Sequence, residues 1–118
     1  MDLLDRFAAA WNAHDVETLV DCMTDDGVFY GSVGPQPDGA SSRGISALRA
    51  GFSAVWEMFP DAAWNDINHI LAGDRAVTEW RFTGTRSDGT SVDVRGTDIF
   101  TLRGGKIAVK DTFRKQIS

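Results

Sequence analysis

The sequence predicts an α+β fold: three N-terminal helices packed on one face of a strongly curved, mainly antiparallel sheet. Two observations carry this. Apolar residues recur at helical spacing through the first half of the chain, and from Trp64 onward the pattern is that of strands. Turn pairs, Asp88-Gly89 and Gly104-Gly105 among them, punctuate the second half, as consecutive hairpins require.

Leu3, Leu4, Phe7, Ala8 and Trp11 give a first helix over residues 3–12 one apolar, aromatic face. Asn12-Ala13-His14-Asp15 breaks it, and Asp15 is the expected N-cap of a second helix. Thr18 stands where a capping box needs Glu or Gln, so no box forms. Val16, Leu19, Val20 and Met23 make the second helix's apolar side, and Thr24-Asp25-Asp26-Gly27 reads as a stop and turn. Val28-Phe29-Tyr30 reads as a short strand. Residues 31–44, dominated by Gly, Pro and Ser, are the longest structureless segment and a candidate rim or lid loop. Ile45, Leu48, Phe52, Val55, Trp56 and Phe59 form one wide stripe on a third helix, which ends before Pro60.

The meander opens with a strand over residues 64–71, turned by Ala72-Gly73-Asp74. The next strand is Arg75 to Arg86, where Trp80 and Phe82 alternate with Glu79 and Arg81. The last two strands occupy Val92 to Arg114 on either side of Gly104-Gly105. Asp98 lies inside the first of them, and Lys110, Asp111 and Arg114 inside the second. Ionisable residues in mid-strand must face water or be paired.

The 118 residues fit one domain, 1–118, with 42% hydrophobic and 25% charged content typical of a globular chain. A net charge of −5 without a basic stripe argues against nucleic-acid binding. A single cysteine, Cys22, excludes an intrachain disulfide and reads as a small apolar residue. His14 and His69 are far apart and lack a partner at ligand spacing, so neither a metal nor any cofactor is expected. No signal peptide or long apolar run is visible, which predicts a cytoplasmic protein with no membrane partner.

The stretches FAAAWNAHDVETLV, MTDDGVF, GISALRAGFSAVWEMFPD, LAGDRAVTEWRFTGT and RGTDIFTLRGGKIAVKD cover nearly the whole chain. In this order they resemble the nuclear transport factor 2-like superfamily and, within it, the SnoaL-like polyketide cyclase group. The resemblance implies a cone, with a bent sheet wrapped around three helices and an apolar pocket open at one end. It also implies that dimers are common. In the superfamily's ketosteroid isomerases it matches the carboxylate base to Gly31, the oxyanion-binding tyrosine to Phe7, and a protonated aspartate to Asp98, so one of three parts is present. In the polyketide cyclases and limonene epoxide hydrolases it matches the last strand's catalytic aspartate to Thr112. The cyclases' hairpin histidine matches Asp98.

The closing hairpin admits two registers. A two-residue loop pairs Arg103 with Lys106 and sets Asp98 opposite Asp111. A three-residue loop pairs Leu102 with Lys106 and sets Asp98 opposite Lys110, Gly96 opposite Thr112 and Val94 opposite Arg114. The first would set two carboxylates against each other, the second an ion pair lining the pocket. Apolar patterning favours the first. The resemblance favours the second, in which Ile99, Ile107, Val109 and Phe113 form an outer face that a homodimer partner would cover. The second is the expected register.

Asp98 is the expected general acid or base, and Lys110 the group that tunes it or binds a developing oxyanion. The bland reading makes them a structural aspartate and its ion-paired lysine. Trp11, Phe29, Phe52, Trp56, Phe59, Trp80, Phe82 and Phe100 are expected to line the pocket, with Thr112 and Arg114 further along the same face. His69, between Ile67 and Leu71, is a possible further acid or base. The resulting expectation is a cyclase, isomerase or hydratase acting on an apolar, polyketide- or steroid-like molecule. The alternatives are a non-catalytic small-ligand-binding module and an interaction domain with a vestigial pocket. A core filled solid by Trp80, Trp56 and Phe100 would leave only the last.

Overall fold

The computed structural model describes residues 2–117. Three helices, α1 (Asp2–Ala13), α2 (Val16–Asp21) and α3 (Gly44–Met58), accompany six strands. These are β1 (Met23–Tyr30), β2 (Ser41–Arg43), β3 (Ala63–Ala72), β4 (Arg75–Thr85), β5 (Ser91–Arg103) and β6 (Lys106–Arg114). The strand order is β2-β1-β6-β5-β4-β3, so the sheet is open, with β2 and β3 at its edges. Every neighbouring pair is antiparallel except β1 and β6. That parallel pair joins the first strand to the last and sets Phe29 in register with Lys110.

The helices pack on the sheet through the faces their spacing predicts. Leu4, Phe7, Ala10 and Trp11 of α1 are buried, as are Leu48 and Phe52 of α3. Trp11 is the hub. Its ring meets those of Phe7, Phe52, Trp56 and Trp64 at centroid separations of 5.0–6.3 Å, mostly edge-on, the arrangement aromatic quadrupoles prefer. A second cluster of Phe59, Ala62, Trp80, Phe82 and Val94 lies alongside, and Trp56 and Trp64 pack against both. Asp15 caps α2 by accepting the Thr18 N–H at 3.2 Å and the Thr18 hydroxyl at 2.6 Å. Cys22 is buried in the core.

Two segments depart from the expectation. Thr24-Asp25-Asp26-Gly27 is not a stop but part of β1. Pairing with β6 jumps from Met23–Ile107 to Val28–Val109, so these turn-prone residues bulge out of the ladder without ending the strand. The segment 31–44 is not structureless throughout. Ser41–Arg43 pairs with Val28–Tyr30 as the edge strand β2, and the loop shrinks to residues 31–40. There the Gly31 N–H donates to the Ala40 carbonyl at 2.9 Å and the Ala40 N–H to the Val33 carbonyl at 3.0 Å. Among the described residues, no helix is long and apolar enough to cross a membrane.

Candidate functional site

The closing hairpin fits neither predicted register, and the reason is one residue. Its tip pairs Arg103 with Lys106 and Leu102 with Ile107, the two-residue loop, with Gly104 and Gly105 both at positive φ (60° and 77°), as a type I′ turn requires. The next pair is Thr101 with Val109, which leaves Ala108 extra. This bulge advances β6 by one position, so every later side chain changes face. Without it, Val109 and Asp111 would share the face of Asp98. With it, Lys110, Thr112 and Arg114 turn inward, and Asp98 pairs with Thr112, not with Lys110 or Asp111. Ile107 lies before the bulge and is buried in the core, so its expected place on the outer face is corrected. Ile99, Val109 and Phe113 do face outward, and Phe113 is 52% exposed.

Asp111 is also on the outer side, paired with Ile99. Partial burial raises its carboxyl above the ordinary aspartate range, and the charges of Asp38 and Asp98 push it further. The fold therefore favours the protonated form, and the ionised form opposes folding at pH values above the raised pKa. Asp111→Asn is expected to raise the thermal midpoint at pH 7. The gain should fade as pH falls below the ordinary aspartate range, and scans at pH 7 and pH 3 check it.

On the inner side, Asp98 and Lys110 are 7% and 4% exposed. Lys110 Nζ donates to Asp98 Oδ1 at 2.9 Å and to Thr112 Oγ1 at 2.7 Å. The Thr112 hydroxyl donates to the same Oδ1 at 2.7 Å, and Trp80 Nε1–H donates to Oδ2 at 3.1 Å. Every partner of Asp98 is a donor, which suits an anion. Oδ1 has two donors and Oδ2 one, so Oδ2 retains acceptor capacity. The Lys110 ammonium also lies 4.5 Å from the Phe29 ring centroid and 5.2 Å from that of Trp11, where cation–π attraction replaces part of its lost hydration. Gly96, two residues before Asp98 on β5 and paired with Trp80, leaves room for the Trp80 ring. A Cβ there would come within 2.5 Å of Trp80 Cη2.

These groups line a cavity of about 330 Å³ inside the cone. The size falls within the range of small-molecule sites. Trp11, Phe29, Phe59, Trp80, Phe82, Phe100, Thr112 and Arg114 are on its wall, together with Asp98 and Lys110. Phe52 and Trp56 are not. Phe52 is fully buried behind the wall, and Trp56 stacks on His14 at 5.0 Å. The core is not filled solid, the condition that would have left only an interaction domain. Gly31 and Phe7 also line the cavity, so the positions matched to the isomerase base and tyrosine face it with no ionisable group.

His69 is not on the wall. Its Nδ1 is 2.8 Å from Thr78 Oγ1 and its Nε2 is 3.1 Å from Asp5 Oδ1. Thr78 is on the wall, directly across β4–β5 from Asp98, and the sequence reading missed it. The signal was available, since Thr78 alternates in phase with Trp80 and Phe82. Arg114 is half-buried, with its guanidinium 5.2 Å from the Phe82 ring and 5.8 Å from that of Phe59.

The comparisons with known proteins follow the same lines. The SnoaL-like domain family matches residues 4–110. No curated protein matches the sequence. Among solved structures, a nuclear transport factor 2-like protein of unknown function from Mesorhizobium loti is 29% identical, with a TM-score of 0.78 over 98% of this chain and 89% of its own. A candidate SnoaL-like polyketide cyclase from Jannaschia sp. CCS1 is 22% identical, with a TM-score of 0.83 over 97% of this chain and 83% of its own. A hypothetical protein with a ketosteroid isomerase-like fold from Catenulispora acidiphila, solved with trimethylamine, is 18% identical, with a TM-score of 0.84 over 95% of this chain and 84% of its own.

Proposed function

This chain belongs to the SnoaL-like domain family, and we propose that it binds an apolar small molecule in its cone and acts on it by acid–base chemistry at Asp98. The observation that supports this is a buried, hydrogen-bonded ion pair on the wall of an otherwise apolar cavity. Such a pair is poor value as a stability device, because hydrophobic replacements of similar volume are often as stable. Asp98 Oδ2 is the atom with capacity to take a proton from carbon next to a substrate carbonyl. Lys110 N–H is the donor for the oxygen on which negative charge then develops. Returning the proton to another carbon is isomerisation, and attack of the carbanion on a second carbonyl in the same molecule is cyclisation. The aromatic wall keeps water from quenching the intermediate.

The three donors already on Asp98 favour a second reading, a binding module in which the pair only orients a ligand. Deuterium uptake separates the two. The probe is 2-tetralone in D2O, with α-exchange followed by proton NMR. Catalysis predicts an acceleration of about 10²–10⁴-fold over buffer, lost in the double variant Asp98→Asn/Lys110→Met. Binding of the ketone without accelerated exchange would leave the binding module.

The proposal includes a homodimer through the outer sheet face carrying Ile99, Val109 and Phe113. Sedimentation equilibrium is expected to give twice the chain mass of 12.9 kDa, and Phe113→Glu to give the monomer. A monomeric wild type would remove this part of the reading.

A further inference from the structure

Three charged residues line the cavity: Asp98, Lys110 and Arg114. The first two neutralise each other at 2.9 Å. Arg114 has no such partner. Among the described residues its guanidinium makes no side-chain hydrogen bond and no ion pair, and it rests on the rings of Phe59 and Phe82. The charge that acts on it is another cation, Arg86, whose guanidinium lies 5.2 Å from the centroid of the same Phe59 ring. The cavity therefore carries one uncompensated positive charge, in a chain whose net charge is −5. Lone surface arginines are common, but this one is half-buried in an aromatic wall, where an unpaired cation costs free energy that a solvated one does not.

We propose that the cavity takes a small organic carboxylate, with its charged head on Arg114 and its aromatic or alicyclic body against Phe59, Phe82 and Trp80. The guanidinium supplies a planar fork of donors that matches a carboxylate two bonds at a time. Its contacts with the two rings restrict its motion, so less freedom is lost on binding. Arg114 and Asp98 are two residues apart along the inner face, Arg114 being paired with Gly96 and Asp98 with Thr112. A molecule anchored at Arg114 would thus extend over the Asp98–Lys110 pair. This inference rests on the cavity being a ligand site, as the preceding section proposes, and adds the charge of the ligand.

The test uses N-phenyl-1-naphthylamine, a neutral dye that fluoresces in apolar cavities, as the reporter. 2-Naphthoate and 2-naphthamide, of equal shape and different charge, compete for it. On the wild type, 2-naphthoate is expected to displace the dye at a concentration about tenfold or more below that needed with 2-naphthamide. In Arg114→Met, which keeps the apolar contacts, the preference should vanish while the dye still binds, and Arg114→Lys should retain part of it. Equal displacement by the two competitors on the wild type would overturn the inference and leave the cavity reading intact. So would a preference that survives Arg114→Met. Failure of the neutral dye to bind the wild type at all would overturn the cavity reading, and this inference with it.

Discussion

Lys110→Met is expected to destabilise the fold by about 3–5 kcal/mol, because it leaves the Asp98 carboxylate buried without its counter-ion. The Trp80 and Thr112 donors would remain, at 3.1 and 2.7 Å, but neither carries a charge. Asp98→Asn/Lys110→Met removes both charges together and should recover most of the loss, since an ion pair replaced by neutral groups of similar volume is often nearly neutral in stability. Urea unfolding of the wild type and both variants gives the comparison, with slopes checked for equality. A single-variant loss below about 1 kcal/mol, the range of solvated pairs, would show that water reaches the pair and that its burial has no energetic weight.

Phe52→Ala should lose a comparable amount, about 3–5 kcal/mol, for a different reason. Phe52 is fully buried, with ring centroids of Phe7, Trp11 and Phe29 at 6.1, 5.2 and 5.1 Å. Truncation removes apolar contact and leaves a void that these rings cannot fill without moving off their rotamers. Ile70→Ala, at a position 50% exposed, should change stability by no more than about 0.5 kcal/mol. Because Phe52 lies behind the cavity wall, the change should enlarge the cavity without removing a polar group. Dye binding by the folded fraction should persist.

The helices and the alternating strands were legible in the sequence because each must bury one face, and periodicity records that need locally. Leu48 and Phe52 on α3, and Trp80 and Phe82 on β4, lie where their spacing sets them. The hairpin was legible only in halves. Gly104-Gly105 fixes the tip, and the polar triple Lys110, Thr112 and Arg114 has the face that the resemblance implied. No local signal at Ala108 announces the bulge that reconciles the two, since a bulge is decided by what the neighbouring strands will bury. Thr24 to Gly27 misled for a related reason: the pairs that flank them, Met23 with Ile107 and Val28 with Val109, carry the strand past a turn-prone bulge, and local propensity does not register those partners.

The candidate site followed the same division. Charges in mid-strand marked Asp98 and Lys110 directly. Trp80 as the donor to Asp98 Oδ2, and Thr78 as the link between His69 and the cavity wall, depend on cross-strand neighbours that spacing along one strand does not reveal. Phe52 and Trp56 were assigned to the wall because the α3 stripe is wide. Only part of such a stripe faces the void, and the rest packs on α1 and the loop after it.

A crystal structure of the protein grown with 2-tetralone would show directly whether the cone is a ligand site. The ketone is expected inside the cone among Phe59, Phe82 and Trp80, with its oxygen or α-carbon within reach of the Asp98–Lys110 pair. A cone closed by Trp80 and Phe82, with no ketone inside it and Asp98 still bound to Lys110, would contradict the claim.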